Sequence, residues 1–393
     1  MPAGFVANHS ARRLRMTGWQ FEVLILSRSI LLIIDGLPGG GAEKVVLTLA
    51  EGLVNAGHRV AIFSLRNVCE YPLPAGVEYQ VIADRCRRPW RKLTELRRRA
   101  ALLDKAIRHY QTQQGECDLV LSNLHKTDRI VSRCRSIAGA KTWYCLHGVF
   151  SASYLGGKTG FSRWLKRWKI RRVYQGRQVI GVSQYVVDDL VNRIGVTPRV
   201  AKVIANPFDF RKIHQLAEAP CALAGTDYLL HVGRFHPAKR HDRLLEAYAL
   251  SGIQAPLVLL GQGDDGAQQR LRQLAESLAI SERVQFAGFQ ANPYPWIKHA
   301  RLLIVSSDSE GFGNVLIEAL CCNTPVVSTR CPGGPASILT GELSRGLAEL
   351  NAKSLGKKIE EIYHNPPPAQ ATRLESYSLP VICQQYLQLA DKR

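Results

Sequence analysis

Short, wholly apolar runs alternate with longer amphipathic stretches along almost the entire chain. ILLII at 30–34 is followed by a stretch at 42–55 with apolar positions at helical spacing, and then by a second apolar run at 59–65. Runs at 118–122, 141–146, 178–182 and 200–204 continue the alternation, and Asn206-Pro207 marks a break. The pattern then restarts with a run at 228–232, a turn, a helical stretch at 243–249, and runs at 257–260, 284–286, 302–305 and 326–327. Continuous apolar runs suit strands that are covered on both faces. Strands separated by helices suit parallel sheets, because each parallel crossover needs an intervening element. Asn365-Pro-Pro-Pro interrupts the pattern, and a last, polar helix is predicted after it.

The expected fold class is therefore α/β: two tandem Rossmann-like domains facing across a cleft. The predicted divisions are an N-terminal extension at 1–28, domains at 29–205 and 206–368, and a helical tail at 369–393. In such sheets ligands bind beyond the carboxyl ends of the strands, so the loops that follow the apolar runs matter most.

One such loop lies in SSDSEGFGNVLIE, residues 306–318. A buried-strand run precedes it, and apolar residues at helical spacing follow from 315 to 320. Gly311 and Gly313 thus sit at a strand-to-helix turn, where unusual backbone angles and close ligand approach are needed. Glu310 and Glu318 bracket that turn, and two carboxylates facing it point to a ligand rich in hydroxyl groups. The plainer alternative is one glutamate at a helix dipole and one solvated.

Three more loops carry candidate chemistry. In LPGGGAE, residues 37–43, Gly40 and Gly41 would let backbone N–H groups approach a phosphate at a helix N-terminus. The spacing is not that of a dinucleotide fingerprint. Arg66 also stands where a ribose-binding acid would be expected, so a nicotinamide enzyme is disfavoured. A plain tight turn is the competing reading. In HVGRFHPAKR, residues 231–240, Arg234 and Lys239 suit two cations gripping a diphosphate, against two merely solvated cations. His147 in LHGVF follows a strand; a lone histidine is usually structural, and its place at the strand end brings a functional reading level with the structural one. Asp264, Asp265 and the Asp308-Ser-Glu310 pair could be read as metal ligands, but none has a supporting cluster, and no metal site is assigned.

The 393 residues suit two domains, and 46% apolar with 21% charged residues describe a globular chain. Lysine and arginine number 52 against 32 acids, a net charge of +20, which attracts polyanions such as nucleic acid, anionic membrane or phosphorylated substrates. Nucleic acid is set aside, because the basic stretches lack a recognised binding module. No apolar run reaches the length of a membrane span. The run at 21–34, after Arg12, Arg13 and Arg15, superficially resembles a signal peptide but lacks a small-residue cleavage site. The first twenty or so residues read as a loose extension, and Met16 could also begin the chain. The ten cysteines form no C-x-x-C pair, which fits a reducing cytoplasm. In FSRWLKRWKIRR, residues 161–172, aromatics interleave with cations; RCRRPWRK at 85–92 and Arg97-Arg-Arg99 form a second basic stretch. Tryptophan with arginine and lysine suits the headgroup region of an anionic membrane. The alternative is an aromatic face packed in the core.

Taken together, V-G-R-x(4)-K, EGFGNVLIE, TPVVS with PGGP after it, and the opening GGGAEKVVLTLAEGLVNAGHRV resemble family-four glycosyltransferases of the GT-B fold. The likeness runs from about Ser29 onward, above all to bacterial enzymes of lipopolysaccharide core and other surface-polysaccharide assembly. It implies an acceptor domain at 29–205 and a donor domain at 206–368, with retention of anomeric configuration. It also implies that Glu310 contacts donor-sugar hydroxyls, and that the backbone of Gly311, Phe312, Gly313, Asn314 and Val315 approaches sugar and phosphate. Glu318 would bind ribose hydroxyls, Arg234 and Lys239 would neutralise the leaving diphosphate without a metal or other cofactor, and His147 would line the donor-sugar pocket. Asn323 stands where the family commonly has glycine, and asparagine tolerates the left-handed conformation needed there.

The implied partners are a nucleoside-diphosphate sugar (UDP-linked by family habit), a lipid-linked glycan acceptor, and an anionic membrane surface at the inner face of the cytoplasmic membrane. A nucleotide-sugar epimerase of the same architecture is the alternative reading, and a nucleic-acid-binding protein a remote one.

Overall fold

The computed structural model describes residues 27–86, 91–368 and 374–391. Nearly all of the expected extension at 1–28 lies outside the described residues, as do Arg87, Arg88, Pro89 and Trp90 of the second basic stretch and 369–373 of the tail. The chain is built from two parallel-sheet α/β Rossmann-like domains.

The first sheet has seven strands: β1 (Ser29–Ile34), β2 (Arg59–Ser64), β3 (Val77–Val81), β4 (Leu119–Asn123), β5 (Thr142–Leu146), β6 (Gln178–Gly181) and β7 (Val200–Val203). Their order is β3-β2-β1-β4-β5-β6-β7, with β1 parallel to both β2 and β4. All six residues of β1 are buried, which is why its sequence shows no polar alternation. The second sheet has six strands: β8 (Leu229–Val232), β9 (Leu257–Leu260), β10 (Val284–Gly288), β11 (Leu302–Val305), β12 (Val326–Thr329) and β13 (Leu347–Ala348). Their order is β10-β9-β8-β11-β12-β13, and β8 pairs in parallel with β9 and β11. In each sheet the strand order reverses once, between β1 and β4 and between β8 and β11. Such a reversal leaves a crevice at the carboxyl ends of the two strands, because their following loops diverge to opposite sides.

The predicted strands recur, and the helices expected at 42–55 and 243–249 run over Gly41–Asn55 and His241–Leu250. Two strands escaped prediction. β3 is a half-buried edge strand whose VEYQV mixes polar and apolar positions, and β13 has only two residues. The last helix, Leu379–Asp391, is not the polar helix expected. It buries Leu379, Ile382, Cys383, Tyr386 and Leu389 at helical spacing. Asn323 has φ 59°, the left-handed conformation assigned to it.

The chain groups into two compact units. Of the described residues, one comprises those up to Cys145 with Gly176–Val179 and those from Cys383 on; the other comprises those from Leu146 to Gln175 and from Ile180 to Ile382. In the first, Arg28 forms an ion pair with Asp391 of the last helix. In the second, Leu244, Leu245, Leu257, Leu259, Leu302, Ile304, Leu355 and Ile359 share one core. Each such side chain contributes about 1.5–3 kcal/mol by leaving water.

Candidate functional site

The loops after β8 and β11 meet at the reversal in the second sheet. Ser306 Oγ donates to the carbonyl of Lys239 at 2.7 Å, and the Asp308 amide donates to the carbonyl of Ala238 at 2.8 Å. Thr329 Oγ1, at the end of β12, donates to the carbonyl of Ser307 at 2.7 Å. These bonds bring Lys239 Nζ to 2.6 Å from Glu310 Oε1, and Ser307 Oγ donates to the same oxygen at 2.5 Å. Lys239 is partly exposed, whereas Glu310 is nearly buried. Arg234 is exposed, and no carboxylate pairs with it among the described residues. The β8 loop therefore presents one unneutralised guanidinium and one ammonium shared with a carboxylate, an arrangement that can take up an anion.

The Glu310-Gly-Phe-Gly turn is held from two sides. A Cβ on Gly311 would stand 2.0 Å from the carbonyl oxygen of His147, and Ser183 Oγ donates to the Gly311 carbonyl at 2.9 Å. On the other side the Glu310 amide donates to the Pro332 carbonyl at 3.0 Å, and Gly334 donates back to Glu310 at 3.2 Å. A Cβ on Gly333 or Gly334 would strike the carbonyls of Glu310 and Phe312, at 1.4 and 1.8 Å. The Pro-Gly-Gly-Pro segment is thus a backbone wall for the turn. Gly313, at φ 100°, leads into the helix Asn314–Cys321. Phe312 turns its ring inward, 5.6 Å from Tyr377 and 6.2 Å from Phe208, so it offers only backbone to a ligand. Asn314 Oδ1 accepts from Asn206 Nδ2 at 2.7 Å, and Val315 is half-buried. Glu318 lies buried one helical turn beyond Asn314 and accepts from the Tyr294 hydroxyl at 3.2 Å. Neither glutamate is the solvated surface acid of the plainer reading.

His147 directly follows β5. Burial holds its imidazole down to about 4, so it is neutral near pH 7. Neutral imidazole can donate or accept a hydrogen bond but brings no charge.

One acid of each pair is engaged elsewhere. Asp308 accepts from buried Arg243 at 2.6 Å and from Arg240. Asp264 caps the helix Asp265–Ser277, accepting from the Ala267 amide. Leu260-Gly-Gln-Gly serves the β8 loop: Gly233 and Phe235 donate to Leu260 and Gln262 at 2.9 Å each, and Gly261 passes so close to Gly233 that a Cβ would lie 2.0 Å from its carbonyl oxygen.

Gly40 and Gly41 belong to the other unit, at the start of the helix Gly41–Asn55. The Glu43 carboxylate lies 2.1 Å from where a Cβ on Gly40 would be, so negative charge already occupies that helix end. Beyond β1, Asp35 is buried against Arg66 (2.7 Å), Arg99 (3.1 Å) and Lys126 (3.1 Å). Burial pushes its carboxyl up, but the pull of Lys126, Arg66 and Arg99 leaves it below the usual aspartate value. Arg66, noted for standing where an acid was expected, is therefore one arm of an ion-pair cluster.

The aromatic stripe expected near 161–172 lies on the helix Gly160–Tyr174. This helix buries Ile170, Val173 and Tyr174 and leaves Phe161, Trp164 and Trp168 exposed, by 74%, 58% and 44%. The core-packing alternative for these aromatics fails. Lys169, Arg171 and Arg172 are exposed beside them, whereas Lys166 and Arg167 donate to the carbonyls of Tyr154 and Ile194 at 2.8 and 2.7 Å. In the second basic stretch Arg98 pairs with Asp84 at 2.5 Å and Arg99 is buried on Asp35. Among the described residues no helix is long and apolar enough to cross a membrane.

Two reversing parallel sheets, with a cation pair and paired glutamates at one reversal, define the GT-B glycosyltransferase class. The family model "Glycosyltransferase Family 4" matches residues 39–212, and "Glycosyl transferases group 1" matches residues 222–378. The chain belongs to the family-four glycosyltransferases of the GT-B fold. It is 28% identical to the N-acetylgalactosamine-N,N'-diacetylbacillosaminyl-diphospho-undecaprenol 4-alpha-N-acetylgalactosaminyltransferase of Campylobacter jejuni, over 80% of this chain and 84% of that one. It is 34% identical to the lipopolysaccharide core biosynthesis glycosyltransferase LpsE of Rhizobium meliloti, over 39% of this chain and 42% of LpsE. Among solved structures, Anabaena HepE in complex with UDP and glucose superposes with a TM-score of 0.71 at 20% identity, covering 93% of this chain and all of HepE.

Sequence reasoning assigned no role to Ser307, Ser183, Asn206 or Tyr294. Ser307 lies within the quoted glutamate block. The others reach the turn only through the fold.

Proposed function

We propose that this glycosyltransferase moves a sugar, with retention, from a UDP-linked donor to a lipid-linked glycan, in the building of lipopolysaccharide core or a related surface polysaccharide. The observation that carries the reading is the Lys239–Glu310 pair at the β8–β11 reversal, with exposed Arg234 on the same loop. In this reading Arg234 and Lys239 meet the diphosphate, whose charge grows as it departs. Glu310 accepts hydroxyls of the sugar, and Glu318, one element further, accepts those of the ribose. The backbone of Gly311 to Val315 lies along sugar and phosphate, with the helix N-terminus favouring the anion. Neutral His147 contributes hydrogen bonding rather than charge to the sugar pocket. No metal or other cofactor is required, because cations and backbone dipoles balance the leaving group. The bond from the anomeric carbon to the phosphate oxygen breaks as the acceptor oxygen bonds from the same face, and its proton passes to the departing phosphate.

The Campylobacter jejuni relative is named for an undecaprenol diphosphate acceptor and LpsE for lipopolysaccharide core, which supports a lipid-linked acceptor here. HepE was solved with UDP and glucose, which supports a UDP donor. Both relatives are transferases, which favours transfer over the epimerase reading. A lipid-linked acceptor requires the enzyme at a membrane, and we read the exposed Phe161, Trp164 and Trp168 as the contact with the anionic inner face of the cytoplasmic membrane. Nucleic acid has no part in this reading.

The test is nucleotide release from a panel of UDP-sugars, with and without an undecaprenyl-diphosphate-linked glycan. Acceptor-dependent release with a glycosylated product is expected. Acceptor-independent conversion of the donor sugar would instead support the epimerase.

A further inference from the structure

Each of the two glutamates is held by a neutral hydroxyl from a different part of the second unit. Ser307 Oγ and Lys239 Nζ both donate to Oε1 of Glu310, at 2.5 and 2.6 Å. Among the described residues no donor reaches Oε2. Ser307 has almost no freedom of its own. It is fully buried, and its carbonyl is tied to Thr329 Oγ1, itself fully buried at the end of β12. The carboxylate of Glu310 is thereby oriented from the sheet, with one oxygen saturated and the other left for a ligand. Tyr294 orients the carboxylate of Glu318 from another element. Buried on the helix Tyr294–His299, it donates its hydroxyl to Oε1 of Glu318 at 3.2 Å, and its amide is fixed by Asn292 Oδ1 at 3.2 Å.

We infer that Ser307 and Tyr294 are positioning residues that divide donor recognition between them, Ser307 orienting the carboxylate at the sugar end and Tyr294 the carboxylate at the nucleoside end. The inference rests on the donor assignment proposed for Glu310 and Glu318. Its physical basis is that a carboxylate already oriented by a protein hydroxyl receives ligand hydroxyls without losing torsional freedom on binding. Removing the protein hydroxyl makes each ligand bond weaker and more costly to order. Because the two hydroxyls act on different carboxylates, their removal must show up with different ligands.

Calorimetry with UDP and with the tightest-binding of UDP-glucose, UDP-galactose, UDP-N-acetylglucosamine and UDP-N-acetylgalactosamine separates them. Ser307→Ala is expected to weaken the UDP-sugar about tenfold while leaving UDP within about twofold, and Ser307→Thr, which keeps the hydroxyl, to restore most of the loss. Tyr294→Phe is expected to weaken UDP and UDP-sugar alike, by about tenfold. A merely structural role would lower affinity for both ligands in both variants, together with thermal stability, and that result overturns the inference. So does a Ser307→Ala protein that binds the UDP-sugar as the wild type does while Glu310→Ala does not. If Glu310→Ala itself binds the UDP-sugar normally, or the wild type prefers no UDP-sugar to UDP, the donor assignment fails rather than the positioning.

Discussion

The backbone at Gly311 runs so close to His147 that a Cβ on the glycine would lie 2.0 Å from the histidine carbonyl oxygen. No side chain fits there without moving one of the two segments, and both carry candidate site residues. Gly311→Ala should therefore displace the Glu310 turn rather than unfold the chain. A misplacement of about 1 Å is enough to lower turnover about a hundredfold. The variant should bind UDP, melt within a few degrees of wild type, and release nucleotide slowly. Full activity in Gly311→Ala would mean that this close approach does not shape the site.

Lys239→Ala and Arg234→Ala should mainly lower turnover, since charge on the leaving diphosphate develops in the transition state. Loss of a preorganised cation of this kind costs between about a hundredfold and a thousandfold in kcat. Steady-state kinetics against donor and acceptor decide the matter. A change confined to the acceptor KM would move the diphosphate elsewhere.

Activity should persist in excess EDTA. Of the acids that could have ligated a cation, Asp308 is engaged by Arg240 and Arg243, and Asp264 serves as a helix cap. Loss of activity in chelator, restored by a divalent ion, would contradict the cation-only treatment of the leaving group.

Stability should fall as pH drops below neutrality. His231 and His241 stack edge to face with ring centroids 4.6 Å apart in the second unit. Burial lowers His231 to about 4; burial, then His231 and Lys239, lower His241 to about 2. The unfolded chain takes up these protons near pH 6.5 and the folded chain does not, so the folded state is fully favoured above that pH and loses ground below it. Each histidine contributes about 1.4 kcal/mol per pH unit within that window. His241→Phe, placed against Phe235, should flatten the dependence of melting temperature on pH between 6.5 and 5. An unchanged slope would assign the effect to other groups.

Binding to vesicles should depend on the exposed stripe of the helix Gly160–Tyr174. Flotation is expected with phosphatidylglycerol vesicles, to weaken with salt, and to fail with neutral phosphatidylcholine. Each exposed cation near anionic lipid adds about 1 kcal/mol. The informative variant combines Trp164→Ser, Trp168→Ser and Lys169→Ser, because these side chains are exposed. Lys166 and Arg167 are poorer choices, since each holds a backbone carbonyl. Equal binding to both lipids, or by the variant, would refute membrane contact through this helix.

The amino-acid order by itself determined most of the strands, several of the helices and the position of the candidate loops. These follow from local chemistry: β1 is apolar because both its faces are covered, and Gly311, Gly313 and Asn323 stand where the chain must turn sharply or left-handed. Only the tertiary structure decided which loop residues meet. Lys239 and Glu310 lie 71 residues apart, and their contact depends on β8 and β11 being neighbours, which no local period encodes. The Tyr294 hydroxyl likewise acquires its partner, Glu318, only through the fold, whereas Ser307 and Glu310 are three residues apart in one loop. The facing of side chains was also beyond the sequence. Phe312 turns inward and Trp164 outward because the surroundings of a helix or turn, and not its own apolar spacing, determine which face is covered.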